Sequence, residues 1–171
     1  MNEPPLDWPY YGIGFVPAVK RAFQKYATFT GRASRGEYWW WILGYSIIFV
    51  VLYALTLGLG LANAAQTGKF GAAGIPFAIL TVIFVLATII PNISITIRRL
   101  HDAGYSGWFL LFNIVGLGII TTILCILPTS PNAAQYGPPA PQGYGPGYPP
   151  QPPAGYGDQP QANYGQQPPT S

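Results

Sequence analysis

The sequence predicts an all-α integral membrane protein. Three transmembrane helices follow a basic amphipathic interfacial helix and lead into a disordered C-terminal tail. Three observations predict it. Half of the 171 residues are hydrophobic and only 8% are charged, where a soluble domain carries about 25%. The runs at about 40–61 and 75–97 contain no charged residue, and about 20 residues at 1.5 Å rise match a hydrocarbon core of about 30 Å. The basic residues all lie at or before Arg99 and flank those runs, as membrane anchors do, instead of forming a nucleic-acid-binding patch.

Residues 1–14 read as an irregular lead-in. Three prolines, two acids and no basic residue precede Tyr11, which does not fit a cleavable signal peptide. The membrane domain, 15–128, opens with a helix over 17–29. Val16, Val19, Phe23, Tyr26 and Phe29 recur every three or four residues, with Lys20, Arg21, Gln24 and Lys25 opposite. Pro17 suits its first turn and Gly31 its end. Beside a membrane span, such a helix belongs in the headgroup layer.

The first span, about 40–61, carries twelve Leu, Ile, Val and Phe residues from Ile42 onward, each favouring insertion by about 0.3–0.6 kcal/mol. The second, about 75–97, has Pro76 in its first turn, whereas Pro91 is expected to kink or loosen it. The third, about 108–127, is of minimal length and has a weak helical middle at Asn113–Gly118. A re-entrant pair of half-helices is the alternative there. Ala54, Gly58 and Ala62 offer a small-residue face for close helix approach, and Thr81, Thr88, Asn92 and Thr96 a polar stripe suited to interhelical hydrogen bonds.

From 129 to 171 the chain is rich in Pro, Gly, Tyr and Gln. It lacks the aliphatic surface to offset chain entropy and is expected to be disordered. Five basic residues precede the first span, one lies in the first loop and two follow the second span. The positive-inside rule therefore places the N-terminus in the cytoplasm of a multi-pass protein. Three spans put the tail outside; a hairpin in place of the third returns it.

Catalytic templates fail. His101 is the only histidine and Cys125 the only cysteine, so no His-rich or Cys-based metal site and no intrachain disulfide can form. His101, Asp102 and Ser106 are too close along one loop for a hydrolytic triad. No catalytic, cofactor-binding or metal-binding residue is assigned, no cofactor is expected, and the chain is expected not to be an enzyme.

The sharpest physical expectation concerns a rim at the headgroup level. Arg32, Arg35 and Glu37 precede the first span; Arg98, Arg99, His101 and Asp102 close the second. Glu37 is expected to pair with Arg98 or Arg99, and Asp102 with Arg32 or Arg35, leaving surplus positive charge facing anionic lipid. Trp39, Trp40, Trp41 and Trp108 are expected at the membrane interface, where the indole N–H stays wet.

Phe29-Thr30-Gly31-Arg32-Ala33-Ser34-Arg35 through Glu37-Tyr38-Trp39-Trp40, with Ile97-Arg98-Arg99-Leu100-His101-Asp102-Ala103-Gly104 through Ser106-Gly107-Trp108, resembles the small bacterial inner-membrane family known as domain of unknown function 805. Pro131-Asn132 and Tyr136-Gly137-Pro138 are similar to its C-terminal signature, and the Tyr/Pro/Gly tail to that of actinobacterial members. Gly36 and Ala103 depart from the residues common there. The resemblance implies a helical protein of the bacterial plasma (inner) membrane and carries over no site residue. The expected function is a membrane scaffold or accessory protein that binds anionic headgroups or a membrane partner. The alternative is a subunit of an oligomeric small-molecule permease or channel. The expected partners are the lipid bilayer and a second copy or another membrane protein, with no nucleic acid.

Overall fold

Ser34 starts the first long helix. Its hydroxyl accepts the Glu37 N–H at 3.1 Å, and the Glu37 carboxylate accepts the Ser34 N–H at 2.8 Å. This reciprocal capping box meets two of the donors that a helix N-terminus leaves open. With no proline after it, helix α2 then runs from Arg35 to Thr67, 33 residues, and ends where Gly68 turns left-handed at φ 69°. These residues belong to a computed structural model that describes 3–6, 8–68 and 71–137. Lys69 and the tail from 138 onward lie outside the described residues.

Helix α1 (Phe15–Gln24) precedes α2, and helix α3 (Ile75–Asp102) follows it with Pro76 in its first turn. Both α2 and α3 are long and apolar enough to cross a membrane. Only 6% of the most apolar stretch of α2 and 22% of that of α3 is buried, so these surfaces face outward and need an apolar surrounding. Among the described residues there is no strand. Over the described residues the fold is therefore all-helical, with two candidate membrane-spanning helices.

The two helices run antiparallel. Trp41 donates its indole N–H to Asn92 Oδ1 at 2.7 Å, Tyr45 stacks on Phe84 at 5.4 Å, and Gly60 meets Gly74 near the far end. A methyl group on Gly74 would stand 2.5 Å from the Thr56 carbonyl oxygen, so only glycine fits. The small-residue approach is thus at Gly60 and Gly74. Gly58 faces open space and Ala54 and Ala62 are exposed, contrary to expectation. The polar stripe serves the helix pair as expected at Asn92, which accepts from Trp41, and differently at its hydroxyls. Thr56, Thr81, Thr88 and Thr96 return their hydroxyls to carbonyls four residues earlier in their own helices, the usual local competitor to an interhelical bond.

Helix α1 ends five residues short of the expected Phe29. The Ser94 hydroxyl engages the carbonyl oxygens of Lys25 and Thr28, at 3.0 and 2.6 Å, and ties the chain to α3 where another helical turn would have formed. The inward face of α1 carries Ala18, Arg21 and Ala22, while Val16 and Phe23 point out. The basic residue Arg21 is thus buried, because small alanines beside it let α1 lie close to α2.

A continuous third span is not formed. Gly107–Asn113 is a 3-10 helix and Gly118–Ile126 a nine-residue helix, α4, about 14 Å long at 1.5 Å per residue. Gly116 takes φ 80° between them. Thr121 holds the two pieces together, accepting from Asn113 Nδ2 at 3.2 Å and donating to the Phe109 carbonyl at 3.1 Å. The segment leaves the C-terminal end of α3 and returns to it, since Ser130 N–H donates to the Asp102 carbonyl at 3.0 Å.

The disorder expected from 129 does not hold for the next residues. Pro131–Tyr136 forms a 3-10 helix with Ala133 fully buried, and Tyr136 stacks flat on His101 at 4.0 Å. Docking against α3 supplies the order that this segment's own composition does not.

Candidate functional site

The polar residues that the apolar runs exclude collect at one end of the α2–α3 pair, around two carboxylates. Asp102 is completely buried. Its Oδ1 accepts from Arg32 Nε at 3.1 Å, Arg32 Nη2 at 3.0 Å and the Tyr11 hydroxyl at 3.0 Å. Its Oδ2 accepts from Arg99 Nη1 at 2.5 Å and the Thr129 hydroxyl at 2.8 Å. One carboxylate therefore joins the lead-in, the loop before α2, helix α3 and the segment after α4. Arg99 extends the join by donating from Nε to the Cys125 carbonyl at 2.9 Å and from Nη2 to that of Leu127. A cation at the carbonyl end of α4 also suits the helix dipole.

Glu37 is the second centre, 2% exposed. Besides capping α2, it accepts from Arg21 Nε at 2.8 Å and from the Tyr10 N–H at 3.1 Å. Arg21 spends its remaining donors on the carbonyls of Pro4, Pro5 and Trp8, at 2.9, 2.6 and 2.6 Å. This is how a proline-rich lead-in with few N–H groups becomes ordered. Its carbonyls are gathered by one planar fork of donors.

The expected pairing is thus half realised. Asp102 meets Arg32, and it meets Arg99 as well; Arg35 is exposed and joins neither carboxylate. Glu37 pairs with Arg21 and not with Arg98 or Arg99, because α1 packs its basic face inward. Arg98 is sealed, and its Nε and Nη2 find no hydrogen-bond partner among the described residues. The expected lipid-facing rim is therefore largely interior: Arg32, Glu37, Arg98, Arg99 and Asp102 are all buried. His101 is half-buried and donates from Nδ1 to the Gly31 carbonyl at 3.1 Å.

Of the four tryptophans placed at the interface, Trp39, Trp40 and Trp108 are exposed, whereas Trp41 is 3% exposed and lies between α2 and α3. Trp40 donates its indole N–H to the Ile13 carbonyl at 2.9 Å. Tyr11, absent from the expected set, has its phenol pushed up to about 12 by burial first and then by the Asp102 charge. The Ser34-x-x-Glu37 spacing was the available signal for the role of Glu37. No sequence pattern announced Tyr11 or Thr129, which reach Asp102 only through the tertiary fold.

Chemically, the arrangement is a clasp. Its carboxylates are saturated by arginine, hydroxyl and amide donors, and among the described residues no group of His, Cys, Asp and Glu is placed to hold a metal ion.

The comparisons with known proteins agree on the kind of molecule. Over 117 residues the chain is 33% identical to "Inner membrane protein YhaI" of Escherichia coli (strain K12), covering 67% of this chain and 86% of that protein. Over 121 residues it is 36% identical to "Inner membrane protein YhaH" of the same organism, covering 69% and 91%. No solved structure matches. The family model described as "Protein of unknown function (DUF805)" matches residues 26–138, a stretch that takes in both arginine motifs and the docked segment through Tyr136, and the chain belongs to that family.

Proposed function

We propose that the protein is a non-catalytic accessory or scaffold protein of the inner membrane that holds anionic lipid and a membrane partner at its clasp end. The observation that carries this reading is the division of labour among the charged residues. The interior ones tie the lead-in, α1, α2, α3 and the segment after α4 into one unit. Arg35, Trp39 and Trp40 remain exposed at the same end, and Lys20 is exposed on α1, whose Phe15 packs against Trp40. Exposed lysine and arginine beside exposed indoles suit a headgroup layer with anionic lipid, where each basic residue contributes about 1 kcal/mol.

In this reading the clasp end is cytoplasmic by the positive-inside bias. Helices α2 and α3 are the spans, and the 107–126 hairpin enters the bilayer without crossing it, so the chain beyond Tyr136 is on the clasp side. A cytoplasmic reporter fused at Ser171 should be active and a periplasmic one silent; the reverse supports a third crossing. Stoichiometric co-purification of a membrane protein and of anionic lipid supports the accessory role. Selective solute flux in proteoliposomes would replace it with a permease.

A further inference from the structure

A groove of about 490 Å³ runs between α1 and the α2–α3 pair, within the range of about 300–1,000 Å³ typical of small-molecule sites. Val19, Phe23 and Ile48 line it with Phe84, and Lys20 lies on its edge. At Gly44 a methyl group would stand 3.2 Å from the Phe15 ring, so the glycine lets α1 lie close to α2 beside the groove. Of the polar groups on its wall, the Thr88 hydroxyl is turned back to the Phe84 carbonyl at 2.6 Å and the Trp41 N–H is given to Asn92, so apart from the Tyr45 phenol and the Lys20 ammonium the walls offer hydrocarbon.

We propose that this groove holds one acyl chain of an anionic phospholipid, with the lipid phosphate at Lys20. Two features identify that occupant. The groove opens beside Ile47 and Ile48, about half exposed on the outer surface of a spanning helix, where the adjoining medium is hydrocarbon. Its one charged lining residue is an exposed cation on α1, the helix whose Phe15 ring packs edge-on against Trp40 at 5.9 Å. Apolar walls with a single ammonium at the edge match an amphiphile with a hydrocarbon tail and an anionic head. A peptide segment would leave most of its backbone polar groups without partners against these walls. The inference deepens the anionic-lipid part of the proposed function and rests on it, giving the lipid a position and a contact.

Photo-crosslinking tests it. The full chain is reconstituted in vesicles carrying phosphatidylglycerol or phosphatidylcholine with a diazirine on the acyl tail, and the adducts are mapped by mass spectrometry. Adducts at Val19, Phe23 and Ile48 should be several-fold more frequent with phosphatidylglycerol, while Val50 and Val82 on the open surface should label equally with both. Lys20→Glu should erase the preference, and Ile48→Trp should suppress groove adducts with either lipid. Unchanged melting in detergent shows that both variants fold. Equal labelling by the two lipids, or a preference that survives Lys20→Glu, would overturn the assignment. Phosphatidylglycerol retained on the purified protein without groove preference would sink the groove and leave the proposed function standing.

Discussion

Tyr26 donates its hydroxyl to the Ala87 carbonyl at 2.6 Å, the acceptor that Pro91, four residues on and without an N–H, leaves open in α3. The helix continues through Pro91 to Asp102. The carbonyl that the proline leaves open is satisfied by a phenol supplied from the turn after α1. Tyr26→Phe should therefore cost about 1 kcal/mol, the net value of one hydrogen bond. In a Pro91→Ala background, where an amide returns to Ala87, the same change should cost less. Equal costs in the two backgrounds, read from unfolding in mixed micelles, would refute the compensation.

Asp102→Asn removes the charge that balances two buried arginines. Breaking one side of a buried ion pair costs about 3–5 kcal/mol, so the variant should melt well below the parent in detergent. Amide exchange should rise at Ser130 and through Pro131–Tyr136, because that segment docks beside the lost charge.

Arg98→Met should act in the opposite direction. It replaces a sealed guanidinium, two of whose nitrogens lack acceptors among the described residues, with an apolar chain of similar length. Relief of an unsatisfied buried group is worth about 1–3 kcal/mol, so unfolding should need more denaturant. A loss of stability would show that the Arg98 charge is balanced.

Alkaline pH should loosen the clasp through Tyr11. Its phenol ionises near 10.0 when free and is pushed up to about 12 in place, so the folded protein retains a proton that the unfolded chain releases. The stabilisation is complete below about pH 10 and is lost as pH rises through about 12. Tyr11→Phe should be less stable at neutral pH, lacking the bond to Asp102, and should show a shallower decline over that window. An unchanged slope would assign the alkaline transition to another group.

Much of this was legible in the chain. Uncharged runs mark α2 and α3 because burying charge in hydrocarbon is prohibitive, and that rule acts residue by residue. The meeting of the Arg32 and Asp102 motifs followed from their placement at the same end of two antiparallel spans. What sequence order could not supply was which basic face α1 turns inward. Periodicity gave Val16 and Phe23 as the apolar face of a helix in the headgroup layer, and both are exposed, but it did not mark Ala18 and Ala22 as the side that packs, where small residues permit the closer approach. The 108–127 run shows the limit of hydropathy. Its apolarity suffices for a span, but Asn113, Gly116 and Gly118 favour a turn, and Arg99 rewards a return by binding the Cys125 and Leu127 carbonyls.

The meeting of Tyr11 and Thr129 at one carboxylate, 118 positions apart in the chain, also orders events during synthesis. When Asp102 leaves the ribosome its arginine neighbour Arg99 is already made, but the hydroxyl that completes its shell lies 27 positions downstream. The two long apolar helices can be made first. The knot at their end is tied only after the rest of the folded chain has emerged, so a ribosome that stops at Leu127 releases a protein that is inserted but not fastened.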